Sequence, residues 1–163
     1  MKKLLLTTAL VAIFGFAATA QEQGDFRIGA GLAAGTKAAF DEEGTKLGLG
    51  INFGAEYLIT DAISIAPSYT LYFKSEVDLG GFGTIESSPK ALNIDVRYYF
   101  GESGVYGLAG FTNVGDEEKE SGLNIGAGIM YPLSDNFFLN GQAKYQTPGE
   151  GQLVFNAGVA IGF

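Results

Sequence analysis

Seven charged residues fall inside stretches whose side chains alternate between apolar types and small or polar ones: Arg27, Lys46, Glu56, Lys74, Asp95, Arg97 and Lys144. All seven occupy the small or polar row. Arg27, Glu56 and Arg97 lie at similar depth, each a few residues from the same end of its stretch. A charge taken out of water needs a partner, so Glu56 is expected to pair with Arg27 or Arg97, with Asp95 nearby. Two roles fit such a cluster: a structural plug, or a gate for ions or small solutes. The plug is favoured if the stretches close into a small barrel, whose interior is only wide enough for side chains.

Catalysis fits the composition poorly. Hydrolysis of a lipid or peptide by a general-base route normally uses histidine, and the chain has none. It also lacks cysteine, which removes a thiol nucleophile, a disulfide framework and a lipid anchor on cysteine. The protein is read as a non-enzyme without a cofactor. Acidic residues gather between the alternating stretches, at Asp41, Glu42, Glu43, Glu76, Asp78, Glu86, Asp116, Glu117, Glu118, Glu120 and Glu150. Carboxylates suit calcium or magnesium, but no EF-hand spacing occurs, so no metal site is assigned. The run from Asp116 to Glu120 reads as a solvated segment that resists aggregation. Divalent bridging to lipopolysaccharide phosphates is an intermediate reading.

The elements that carry these residues start after a leader. Lys2 and Lys3 precede an apolar run, Leu4 to Phe16, and the small-residue stretch Ala17-Ala18-Thr19-Ala20. That order predicts a cleaved secretory signal peptide over 1–20 and one domain over 21–163. Of the 163 residues, 143 remain, with 8 basic against 18 acidic residues and a net charge of −10 once Lys2 and Lys3 are gone. Such a balance disfavours nucleic acid and anionic lipid surfaces as partners. Twenty-five glycines argue against helices.

Period-two alternation recurs eight times, over 25–35, 45–58, 62–74, 90–100, 105–112, 122–132, 137–146 and 152–163. The stretch 105–112 is the weakest, because both of its rows are mixed. Pro67 predicts a bulge or break in its ladder. Connections alternate in length. Those after the second, fourth and sixth stretches are tight turns; the segments 36–44, 75–89, 113–121 and 147–151 read as longer loops. The pattern predicts an all-β fold, an eight-stranded antiparallel up-and-down transmembrane barrel with both termini at the tight-turn end.

Periodicity alone does not say which row faces inward. Four features favour a lipid-facing apolar row over a soluble calyx with an apolar interior. The opposite row is Gly, Ala, Ser and Asn rather than Lys and Glu. Charges concentrate in the connections. Apolar rows reach six residues, enough for a span of about 9–11 residues per strand. Aromatics fall in two bands: Phe26, Tyr57, Tyr98, Phe100, Tyr131, Phe137 and Phe163 near the tight turns, and Phe73, Phe111, Tyr145 and Phe155 near the long loops.

With its alternating strands, its tight turns at Asp61, Glu102 and Asp135, and the terminal Val159-Ala160-Ile161-Gly162-Phe163, the chain resembles the small outer-membrane barrels of the OmpA/OmpX type. The resemblance spans 21–163. It implies residence in the outer membrane with both termini periplasmic, contact with outer-membrane lipid and lipopolysaccharide, and a monomeric state. It also implies that Phe155, Val159, Ile161 and Phe163 form the sorting signal read by the barrel-assembly machinery. No soluble peptidoglycan-binding domain follows the barrel here, so a tethering role is not implied. For activity the resemblance leaves two readings: a structural or surface-interaction protein, or a narrow porin-like channel.

Overall fold

The computed structural model describes residues 22–41, 44–78, 84–115 and 119–163. The expected leader and the acids Glu42, Glu43, Asp116, Glu117 and Glu118 lie outside them. The strands are β1 (Phe26–Asp41), β2 (Gly44–Leu58), β3 (Ile63–Tyr72), β4 (Ser75–Asp78), β5 (Thr84–Ser87), β6 (Lys90–Tyr99), β7 (Val105–Gly115), β8 (Lys119–Ser134), β9 (Phe137–Gln146) and β10 (Gln152–Gly162). Eight of them close into an antiparallel barrel in the order β1-β10-β9-β8-β7-β6-β3-β2, while β4 and β5 form a separate hairpin. The closing seam pairs β1 with β10 in unbroken register from Arg27↔Gly162 to Gly35↔Val154.

Alternation places the two rows on opposite faces. The apolar row is outside: Leu32 is 67% exposed, Phe111 69%, and Leu49, Phe53, Ile94, Ile125 and Phe155 are exposed with them. The polar row is inside, where Glu56 and Asp95 are 3% and 2% exposed. A water-soluble calyx needs the reverse arrangement. Both aromatic bands lie on the outer face, and at the turn end Phe26 stacks near Phe163 with centroids 6.4 Å apart.

The expected loops 36–44, 113–121 and 75–89 are revised. Within the expected loops 36–44 and 113–121, the described residues are strand: β1 and β2 pair as far as Asp41↔Gly44, and β7 and β8 as far as Gly115↔Lys119. Their polar composition reflects a hairpin standing clear of the apolar belt. A register shift between Gly35 and Ala39 tucks Ala38 into the interior. The segment 75–89 likewise contains the β4–β5 hairpin. At Pro67 the expected break in the ladder is present, without a bulge: β2 and β3 pair at Gly54↔Ser68 and resume at Tyr57↔Ile65 in the same register. Pro67 keeps its place opposite Ile94 of β6, so the missing N–H is turned toward β2.

Close approach of strands explains one glycine pair. Gly31 and Gly158 face each other across the closing seam. A side chain on Gly158 would press on the Ala30 carbonyl and approach Gly31 Cα to 2.6 Å. Gly158→Val is therefore expected to destabilise the barrel by about 1–3 kcal/mol in urea unfolding. Gly141→Ala, whose added carbon meets only Ile129 at 3.7 Å, is expected to stay within about 0.5 kcal/mol of the parent. Equal stability of the two variants would contradict this account of the seam.

Candidate functional site: a filled polar lumen

Much of the lumen filling comes from β6 to β9. Strand β6 turns Asn93, Asp95, Arg97 and Tyr99 inward at period two, and all four are buried. Strands β7, β8 and β9 add Tyr106, Thr112, Asn124, Met130, Gln142, Lys144 and Gln146. The facing wall of β1, β2 and β10 presents Gly29, Gly31, Gly54 and Gly158 at the corresponding inward positions. Large polar side chains on one side thus extend toward bare backbone on the other. This matching of long and short lets side chains fit the narrow interior that eight strands leave.

Near the tight turns, Glu56 of β2 is the hub. Its Oε2 lies 3.3 Å from Arg97 Nη1 and 3.6 Å from Arg27 Nη1. Its Oε1 accepts hydrogen bonds from the Ser64 and Tyr99 hydroxyls, both at 2.6 Å. Arg27 also pairs with Asp25 at 3.3 Å, at the mouth of the barrel. Each guanidinium lies over a ring, Arg27 at 4.5 Å from the Phe138 centroid and Arg97 at 4.6 Å from that of Tyr106. Arg97 donates to Gln142 Oε1 at 3.2 Å, and the Tyr106 hydroxyl donates to Asn140 at 2.8 Å. One carboxylate between two guanidiniums, with two short charge-assisted bonds, gives a compensated buried group.

Two residues along β6, about 7 Å, a second cluster begins. Asp95 does not join Glu56. Its Oδ2 accepts from Lys144 Nζ at 3.0 Å and its Oδ1 from Asn124 at 2.7 Å. Asn93 Oδ1 accepts from Asn124 at 3.1 Å and Gln146 at 2.8 Å, and Gln152 donates to Gln146 at 3.1 Å. Linked contacts therefore run along the lumen from Gln152 through Gln146, Asn93 and Asn124 to Asp95.

The sequence-predicted residues are distributed as follows. Arg27, Glu56 and Arg97 come together. Asp95 and Lys144 form their own pair. Lys74 is exposed beyond the end of β3, and the side chain of Lys46 lies outside the described part. Phe155, Val159, Ile161 and Phe163 share the lipid-facing row at the closing seam. Sequence reasoning missed the amides and tyrosine hydroxyls that complete the network. It also missed an interior apolar cluster of Tyr99, Tyr106, Leu108, Met130, Phe138 and Ala160. Tyr106 and Leu108 explain the mixed rows of 105–112: that strand packs apolar side chains inward as well as outward. The inward parity of each residue was readable, but its partners were not.

Among the described residues no three carboxylates gather as a cation site. A cavity of about 50 Å³ lies between the Glu56 cluster and the glycine wall, bordered by Asn52, Met130 and Asn156. One buried water needs about 10–15 Å³ on this measure, so the cavity has room for a few waters.

With this geometry, comparison with known proteins is decisive. The profile of the outer membrane protein beta-barrel domain matches residues 6–162. The chain belongs to this family. No curated protein sequence matches it. Among solved structures it is similar to the N-terminal β-barrel domain of Pseudomonas aeruginosa OprF, at 24% identity over 88% of this chain and 100% of that one, with a TM-score of 0.61. It is also similar to Yersinia pestis Ail in complex with the heparin analogue sucrose octasulfate, at 19% identity over 86% and 99%, TM-score 0.60. OprG of P. aeruginosa matches at 15% identity over 88% and 98%, TM-score 0.61. At these identities the likeness is one of fold.

The lumen pairs make a stability prediction. Lys144→Met leaves Asp95 buried without its cation and is expected to cost about 3–5 kcal/mol in urea unfolding. Adding Asp95→Leu removes the orphaned charge and is expected to recover most of that loss. A double variant no more stable than the single one would contradict the pairing.

Proposed function

We propose that this chain is a closed outer-membrane barrel with a structural or surface-interaction role, rather than a transporter or an enzyme. The observation that carries the reading is the ion-paired hub Arg97–Glu56–Arg27, which with Tyr99 and Tyr106 occupies the lumen near the tight turns. In this reading residues 1–20 are a leader removed on export and 21–163 form the mature barrel. The termini and tight turns face the periplasm, the long hairpins face outside, and the protein is a monomer. Phe155, Val159, Ile161 and Phe163 serve first as the signal to the assembly machinery, then as part of the lipid-facing wall. The absence of histidine supports a non-enzymatic role.

The outward hairpins are rich in carboxylates, and the whole chain carries a formal net charge of −8. Ail has been captured with a sulfated heparin analogue. The partner that the acidic loops here suit is cationic, a basic protein surface or a divalent cation. The second reading, a narrow channel for ions or small solutes, draws on the small cavity beside Glu56.

Planar bilayers separate the two. The parent barrel is expected to carry no steady current, and Glu56→Ala to leave the current unchanged while lowering the melting temperature. A current that appears or rises in Glu56→Ala would establish the gate and overturn the plug.

A further inference from the structure

Charge inside the barrel does not balance. Glu56 is a single carboxylate between two guanidiniums, Arg97 at 3.3 Å and Arg27 at 3.6 Å. Arg27 has a second partner in Asp25, but that carboxylate is 36% exposed at the mouth, where water screens it. The Asp95–Lys144 pair is neutral in itself. Among the described residues, the buried charges of the lumen are therefore Arg27, Arg97 and Lys144 against Glu56 and Asp95. One positive charge is left over. A charge held out of water calls for a counter-charge.

Hydrogen-bonding capacity around the 50 Å³ cavity is unbalanced in the same sense. Arg27, Glu56, Arg97, Asn140, Gln142 and Asn156 all border it. Arg97 Nη2 donates to Gln142 Oε1 at 3.2 Å. A guanidinium only donates, so this bond holds the amide oxygen of Gln142 toward Arg97 and turns its N–H2 away, with no partner among the described residues. The Tyr106 hydroxyl donates to Asn140 Oδ1 at 2.8 Å, which leaves the Asn140 N–H2 in the same condition. Arg97 Nε and Arg27 Nη1 make no hydrogen bond either. Asn156 stands level with Gln142 across β9 and β10, and its Oδ1 is unpartnered, so its amide can turn N–H2 toward the cavity. The Glu56 charge is already engaged: Oε1 accepts from Ser64 and Tyr99, and Oε2 lies against both guanidiniums. Donors and positive charge are thus both in surplus at one enclosed place.

We propose that this cavity binds one small monovalent anion of halide size, held by Arg97 and the amide N–H2 groups of Gln142 and Asn140, with Gly29 and Gly54 leaving the facing wall bare. About 10–15 Å³ suffices for one water on this measure. A chloride ion is slightly larger than a water, so the cavity takes one such ion with a water beside it. Larger anions are excluded by size. The acidic Asp25 and Asp61 at the tight-turn end oppose anion entry into the closed barrel, so the ion is taken up as the strands close. The site rests on the packed lumen proposed above and supplies the counter-charge that its side chains lack.

The test refolds the mature barrel in neutral detergent with sodium bromide, sodium chloride or sodium gluconate at equal ionic strength. Gluconate is too large for the cavity. Crystals grown from the bromide sample are expected to show an anomalous bromide peak within hydrogen-bond reach of Arg97 and Gln142. The melting temperature is expected to be about 3–6 °C higher in chloride than in gluconate. Gln142→Glu keeps the acceptor for Arg97 and sets a carboxylate beside the cavity, so it is expected to lose both the peak and the chloride dependence. No peak in the parent, or an equal chloride shift in parent and Gln142→Glu, overturns the site. If Gln142→Glu does not fold, the bromide peak in the parent decides alone. Failure of the packed-lumen reading has a separate mark, a steady current in planar bilayers.

Discussion

Hydrocarbon offers the backbone no hydrogen-bond partner, and the rest of this structure follows from that constraint. A sheet in lipid has to satisfy every N–H and C=O itself, so it must close. Closure here is the pairing of β1 with β10 from Arg27↔Gly162 to Gly35↔Val154, where facing glycines let the strands approach. Closing on eight strands fixes a narrow interior. A narrow interior holds little water, so each charge placed there needs a protein partner within reach. The Glu56 hub, the Asp95–Lys144 pair and the amide network above them are consequences of that geometry.

Paired charges of this kind contribute little net stability compared with apolar filling of the same volume, since desolvation offsets most of the attraction. Their effect is on uniqueness. A slip of one residue between β2 and its neighbours would turn Glu56 outward into lipid and Tyr57 inward. A slip of β6 would do the same to Asn93, Asp95 and Arg97 together. The register that buries these residues also exposes Leu92, Ile94 and Val96 to lipid. Lumen polarity and outer apolarity thus specify the same alignment.

Much of the fold was legible in the sequence, because each strand of a small barrel carries its own two-row signature. The strands over 90–99, 137–146 and 152–162 fall almost where alternation puts them. Alternation failed where its assumption failed. Residues 36–41 and 119–121 lack the long apolar row of the lipid-facing stretches, yet they remain in ladders. Residues 105–112 have mixed rows because the lumen accepts Tyr106 and Leu108. Parity identified Asp95 and Lys144 as inward, but their pairing depends on depth across the barrel, which sequence spacing within one strand does not encode. Phe137 and Phe138 make the point sharply: adjacent and alike in type, one faces lipid and the other stacks over Arg27.

The central claim is a barrel whose apolar row faces lipid and whose lumen is packed rather than water-filled. Methyl NMR of the protein in micelles, with paramagnetic quenchers of two kinds, tests it directly. The methyls of Leu49, Ile51, Ile94 and Val96 are expected to be quenched by a doxyl fatty acid. Those of Leu108, Met130 and Val154, all buried in the lumen, are expected to resist both the doxyl probe and a water-soluble gadolinium chelate. Quenching of the lumen methyls by the chelate would reveal an open aqueous pore. Quenching of those methyls by the doxyl probe would invert the two faces. Either result would contradict the account.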